Sequence, residues 1–288
     1  MFEAVKHIEV DRKNSLPTKD FTYRYRKTGT PVVFGDLVHR WAAYQAWSLP
    51  YLDNEFGHKM VALCSNKLGV NHGCPSKPVQ QMVFSDFLEL LNHDEDDLHI
   101  RNIDFLKLQP ALIHDFEYPR LRLKFRPSLT TLSIGGKGSK EVMHTRADLG
   151  DTLITNFGDR KTVLLIPAKQ AKYTYEMPGL FESLPELDYS RENAVTHKAI
   201  RKLKGYRTTL EHGETLYIPS RYRYAVENHG ICMSIEMIAL PTNGWRKLRA
   251  IKNLYLIKPL NWTLQKLGGA RWRKRQERKA RKLAERKS

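Results

Sequence analysis

The side chains that could carry chemistry gather in two stretches, one around His144 and one around Tyr222-Arg223-Tyr224. His144 is followed by Asp148 and Asp151, so an imidazole and two carboxylates lie close together, types that can ligate a divalent cation. Their uneven spacing also suits turn and surface positions. Tyr and Arg in succession at 222–224 offer stacking faces and hydrogen-bond donors, a wall suited to a polar or anionic ligand. Arg160 and Lys161 add adjacent cations. His212 and His229 flank the second stretch as loop histidines. His72 and Cys74, in Asn-His-Gly-Cys-Pro-Ser-Lys-Pro, lack a second pair at ligand spacing and read as a Pro- and Gly-rich loop.

The elements that must hold these residues change character along the chain. Before about residue 128, Pro31-Val32-Val33-Phe34 predicts a short strand followed by helices, and Val83–Leu91 predicts a helix with Ser85 as its N-cap. From about residue 129, β-type runs alternate with turns: 129–134, 151–157, 162–166, 214–218 and 232–238. Many short strands behind a helical front section predict a mainly β (α+β) protein built as a sandwich or barrel. The expected division is a domain over 1–244, its helical front section about 1–128 and its β core about 129–244, then a basic helical extension over 245–288.

Charge separates the same two parts. The 288 residues carry 48 Lys and Arg against 31 Asp and Glu, a formal charge of +17. The last 44 residues hold +14 of it, leaving a nearly neutral body. Such a balance directs polyanion affinity to the tail, with Arg271, Arg273, Lys274, Arg275, Arg278 and Lys279 as contacts for RNA, a ribosome or an anionic membrane. Leu254–Leu267 is apolar and expected to pack on the domain or on a second subunit in a homodimer, with Gly268-Gly269 dividing it from a free cationic end. A 41% hydrophobic, 27% charged composition excludes a disordered chain and a polytopic membrane protein. Three cysteines without a CxxC pair suggest neither a disulfide framework nor a zinc ribbon. With no signal-peptide pattern, the expected location is the cytoplasm.

Five ordered segments then carry a resemblance: PVVFGDLVHRWAAYQAW, VFSDFLELL, SIGGKGSKEVMH, FGDRKTVLLIPAKQAKYTY and LEHGETLYIPSRYRYAVEN. From about Thr30 to Leu240 the chain resembles the cupin-like JmjC family of iron(II)- and 2-oxoglutarate-dependent oxygenases. The resemblance implies a double-stranded β-helix, or jelly roll. It also implies a facial triad of two His and one carboxylate, with three iron positions left open. The first two ligands come from an H-x-D/E turn, which here reads His144-Thr145-Arg146. The third ends a G-D-x-L-x-I-P-x-x-W-x-H segment, where this chain has Tyr224. A guanidinium is a donor only and does not ligate a cation, so one triad position of three survives. A basic residue on the following strand, Arg160 or Lys161, would meet the distal carboxylate of 2-oxoglutarate.

The expected ligand pocket therefore comprises His144, Arg146, Arg160, Lys161, Tyr222 and Tyr224, with His144 the sole candidate metal ligand. The leading expectation is a binding or regulatory module, without a cofactor, for an unknown protein or a small anionic ligand. One alternative is a working hydroxylase of a protein or ribosomal substrate, in which His144 and Asp148 hold Fe(II) and Arg160 or Lys161 holds 2-oxoglutarate. The other is a polyanion-binding protein acting through its tail.

Overall fold

The computed structural model describes residues 2–65, 80–92 and 98–286. His72 and Cys74 lie outside them. Eight strands form the jelly roll: β1 (Thr131–Gly135), β2 (Lys140–His144), β3 (Asp151–Gly158), β4 (Lys161–Ile166), β5 (Lys204–Leu210), β6 (Thr215–Ile218), β7 (Arg223–Asn228) and β8 (Cys232–Ala239). They pair antiparallel in two sheets, β6-β3-β8-β1 and β5-β4-β7-β2. Strands of the front section widen both. Lys6–Glu9 joins β5 in parallel, Val32–Phe34 joins β6, and Leu98–Ile103 joins β1, followed outward by Met60–Ser65 and Gln80–Val83.

Alternation along the strands produces three apolar layers. Ile154, Val163, Leu165, Leu216 and Val226 point between the sheets. The opposite faces of the large sheet, through Leu153, Phe157, Tyr217 and Met233, pack on Trp41, Trp47, Phe56 and Phe105 of the front section. The outer face of the small sheet, through Leu164, Ile166 and Ala225, packs on the 175–200 region. Strands covered on both faces read as continuous apolar runs, and all eight residues of β8 are buried.

The front section mixes short helices, among them α1 (Leu49–Phe56) and α2 (Phe84–Asn92), with strands that join the sheets. Two expectations are corrected here. Ser85 lies inside α2, and its hydroxyl donates to Asp53 Oδ1 at 2.5 Å, tying α2 to α1 instead of capping it. Cys64 is disulfide-bonded, whereas Cys232 is a buried free thiol.

The C-terminal extension departs from expectation in its cationic half, which is docked on the domain instead of free. Helix α3 (Gly244–Lys252), capped by the Asn243 side chain on the Trp245 and Arg246 amides, runs through a π-helical turn, Asn253–Ile257, into α4 (Lys258–Glu285). Gly269, at φ 49° and ψ −137°, breaks α4 in a conformation that suits glycine. Beyond the break the cationic half is docked: Gln276, Ala280 and Ala284 are buried, the two alanines within the cluster on the small sheet. Arg281 pairs there with Glu186 and meets His197 Nε2 at 2.7 Å. Before the break the apolar half touches the domain through Ala250, Asn253 and Asn261, while Trp245, Leu248, Ile251, Tyr255, Leu256, Leu260, Trp262, Leu264 and Leu267 face outward.

An Ala280→Glu substitution would force a carboxylate into that contact, a burial costing roughly 3 kcal/mol or more without a partner. The expected outcome is an undocked helix with faster tryptic cleavage beyond Arg271 and a lowered melting temperature, read by limited proteolysis and circular dichroism.

Candidate functional site

The small sheet brings two of the triad positions together. His144, the last residue of β2, lies directly opposite Tyr224 of β7, their rings 4.2 Å apart. After β2 the chain is pinned by Thr145, whose amide donates to the Phe181 carbonyl and whose hydroxyl donates to the Tyr222 carbonyl. That clamp delivers Arg146 to the mouth of the barrel.

Arg146 is fully engaged there. Its Nε and Nη2 donate to the Asp148 carboxylate at 2.7–3.2 Å, and its Nη1 lies 3.6 Å from Glu236 of β8. Asp148 also accepts from the Gly150 amide at 2.9 Å. Burial alone would raise the Asp148 pKa, but Arg146 and the amide hold it below the usual carboxylate range. Burial pushes the Glu236 carboxyl up, reinforced by Glu141 and opposed by Arg146. The Tyr224 hydroxyl points at Glu236 from 3.5 Å, and burial and that carboxylate raise its pKa far above the ordinary phenol value.

A second cation approaches from the front section. Arg101 pairs with Glu141 at 2.8 Å and sets its Nη2 3.4 Å from His144 Nε2. His144 Nδ1 lies 2.9 Å from the Val142 carbonyl, which only accepts, so Nδ1 carries the proton and Nε2 offers its lone pair to Arg101. Burial, then the Arg101 charge, lower the His144 pKa to about 4, leaving a neutral ring at pH 7.

These donors do not fit an iron triad. One neutral imidazole is already engaged by a guanidinium, a second guanidinium occupies the carboxylate position, and a neutral phenol occupies the third. Asp148, the substitute carboxylate, is taken by Arg146. Asp151 accepts from the Ser220 amide at 2.8 Å and lies 3.8 Å from Arg26, holding a loop. Among the described residues, no three His, Cys, Asp or Glu side chains converge as a metal-binding group.

A cavity of about 630 Å³ opens over this cluster. His144, Arg146, Tyr224 and Arg101 form one wall, and Met177, Leu180, Phe181 and Glu182 another. Leu254, Lys258, Asn261, Trp262, Gln265 and Arg273 of the C-terminal helices cover it. Burial raises the Glu182 carboxyl to about 7.

The remaining expected pocket residues lie elsewhere. Lys161, 3% exposed, donates to the Ser234 hydroxyl in a separate void of about 10 Å³, room for about one water. Arg101 and Glu141 line that void and screen Lys161 from the main cavity. Arg160 is exposed in the turn before β4. Tyr222 donates to the Gly29 carbonyl at 2.9 Å, and Arg223 pairs with Glu176 at 2.6 Å. His212 bridges the Gly158 amide and the Tyr44 carbonyl, and His229 Nε2 meets Thr162 at 2.6 Å, so both fasten loops. Of the tail contacts, Arg273 turns inward to the cavity and pairs with Glu277, while Arg271, Lys274, Arg275, Arg278 and Lys279 face solvent.

Arg101, Glu141, Glu182 and Glu236 were missed by motif reading. Glu236 carried the one usable signal, a lone charge in the apolar run Cys-Met-Ser-Ile-Glu-Met-Ile-Ala.

Two four-stranded antiparallel sheets facing each other, with the candidate site at one mouth, define a cupin-type jelly roll with a helical C-terminal cover. Residues 18–240 match the cupin-like domain, and the chain belongs to that family. The chain is 21% identical over 245 residues to Jumonji C domain-containing protein 5 of Drosophila melanogaster, covering 81% of this chain and 60% of that protein. It is 23% identical to lysine-specific demethylase JMJ30 of Arabidopsis thaliana, covering 79% and 54%, and 23% identical to JMJ21 of the same plant, covering 76% and 24%. The chain thus spans 60% or less of the length of these relatives.

Replacing Arg146 by Met leaves Asp148 and Glu236 without their cation, a loss of about 3–5 kcal/mol for a broken buried pair. Because the folded Asp148 pKa is lowered, its stabilising share is present above the unfolded value near 3.8 and lost as pH falls through the folded value. Denaturant unfolding should show the full deficit at pH 7 and a smaller one below about pH 4.

Proposed function

We propose that this protein is a cupin-like JmjC module that binds a small anionic ligand and performs no iron-dependent oxygenation. The observation that carries the reading is the Arg146 guanidinium, locked between Asp148 and Glu236 at the position where the family places a metal-binding carboxylate. A cation at that place supplies positive charge toward the cavity without a metal. The cavity walls carry Arg101, Arg146, Lys258 and Arg273, of which Arg101 is paired with Glu141, Arg146 with Asp148 and Glu236, and Arg273 with Glu277, beside Glu182, near half-protonated at pH 7. Leu254 and Phe181 add apolar surface for a carbon skeleton. In this role the neutral His144 positions the Arg101 guanidinium, and the covering helix restricts entry. With Lys161 outside the main cavity, an anion would be met by Lys258 and Arg273 of the covering helix, beside Arg146, instead of the family's basic strand residue.

Anaerobic calorimetry with Fe(II) or Mn(II), with and without 2-oxoglutarate, tests the loss of iron chemistry. The expected result is no stoichiometric metal binding; tight one-to-one binding strengthened by 2-oxoglutarate would sink the proposal.

A pH series with metal-free dicarboxylates, succinate and 2-oxoglutarate among them, tests the ligand class. Glu182 loses its proton as pH rises through about 7, adding a negative charge to the wall. Affinity should therefore fall between pH 6 and 8, and Glu182→Gln should hold it near the lower-pH value. A pH response unchanged in that variant would remove Glu182 from the account.

A further inference from the structure

The helical run from Gly244 to Gly268 is inverted relative to an ordinary surface helix. Its inward face meets the domain through Ala250, Asn253 and Asn261 and covers the cavity with Leu254, whereas its outward face carries most of the large apolar side chains. Trp245 is 82% exposed, Tyr255 73% and Leu267 80%, and Leu248, Leu260 and Trp262 are each near 60%. A stripe of this kind along 25 residues is about 37 Å long at the helical rise. Scattered exposed apolar residues are ordinary, but a continuous patch of this length marks an interaction surface.

Charge selects what fits it. From Pro241 to Gln276 the chain contains no acidic residue, while Arg246, Lys247, Arg249, Lys252, Lys258 and Lys266 accompany the apolar stripe. Solvent-facing cations of the docked half, Lys274, Arg275, Arg278 and Lys279, continue the field. A second copy placed against this face would set two uniformly cationic strips together with no carboxylate between them, which opposes self-association. Nucleic acid would satisfy the cations but leave leucines without an apolar partner. An anionic lipid surface satisfies both, with phosphates for the cations, acyl chains for the leucines, and an interfacial depth suited to Trp245, Tyr255 and Trp262.

We infer that the outward face of the Gly244–Gly268 helical run docks on an anionic membrane surface, lying in the interface without crossing it. No helix among the described residues is long and apolar enough to span a bilayer. The same helices cover the cavity, so docking would place the cavity's cover against the lipid headgroups.

The test uses the full chain with vesicles of phosphatidylcholine alone and with about 30 mol % phosphatidylglycerol, scored by co-sedimentation and by quenching of tryptophan fluorescence with brominated lipid. Binding to the anionic vesicles with quenching is expected. The exposed triple variant Leu256→Asp, Leu260→Asp and Leu267→Asp should keep the parent's melting curve and lose binding at least about tenfold. A charge variant, Lys247→Gln with Arg249→Gln and Lys252→Gln, should reduce binding and flatten its salt dependence. Three results would overturn the inference: no vesicle binding by the parent; binding without quenching that the leucine variant retains; or a parent dimer, seen by sedimentation velocity, that the same leucine variant dissociates while vesicles are ignored. Retention of RNA but not of vesicles would overturn it equally.

Discussion

The mouth of the barrel depends on a buried balance of charge. Arg146 and Arg101 come from different elements, a turn after β2 and a strand of the front section; Arg101 is held by Glu141 of β2, and Arg146 by Asp148 of its own turn and Glu236 of β8. Glu141 and Glu236 enter from the two sheets, and Lys161 lies close enough to lower the pKa of both. Unpaired, each group would carry a desolvation cost that a domain of marginal stability could not absorb. Paired, they fix where β2, β7 and β8 converge. At this point a guanidinium gathers the carboxylates, so the counter-charge is one of the chain's own side chains.

The extension follows a related logic of size and charge. Alanines at 280 and 284 let a heavily cationic helix pack closely on the segments that cover the small sheet, because the long basic side chains project from its other side. Nearer the barrel, asparagines at 253 and 261 donate to the Ala147 and Gly179 carbonyls, so contact there is by hydrogen bond and the apolar residues remain outside. Gly269 lets one chain segment make both kinds of contact by changing its direction between them. Composition alone assigns the apolar half to the interior and the basic half to solvent. Position around the helix decides otherwise.

The jelly roll was readable where strands are buried on both faces, since β3, β4, β6 and β8 are continuous apolar or β-branched runs. β2, β5 and β7 carry Lys, Arg, Glu and Gly at positions that face the polar interior or the sheet edge, and they gave no such run. His144, Arg146 and Tyr224 were readable through the order of segments, and the structure gathers them. Arg101 and Glu182 were not, because they reach the cavity through long-range pairing and loop packing that leave no local pattern. Arg223 precedes Tyr224 on β7 and alternation turns its side chain away, to Glu176, whereas Tyr222 lies ahead of the strand with its hydroxyl on the Gly29 carbonyl.

The lock at Arg146 also bears on how reachable a metal centre is from this sequence. Exchanging that one residue for aspartate would not supply a ligand set. It would put a third carboxylate beside Asp148 and Glu236 and remove the guanidinium that pairs with both, while the opposing strand would still present the Tyr224 phenol.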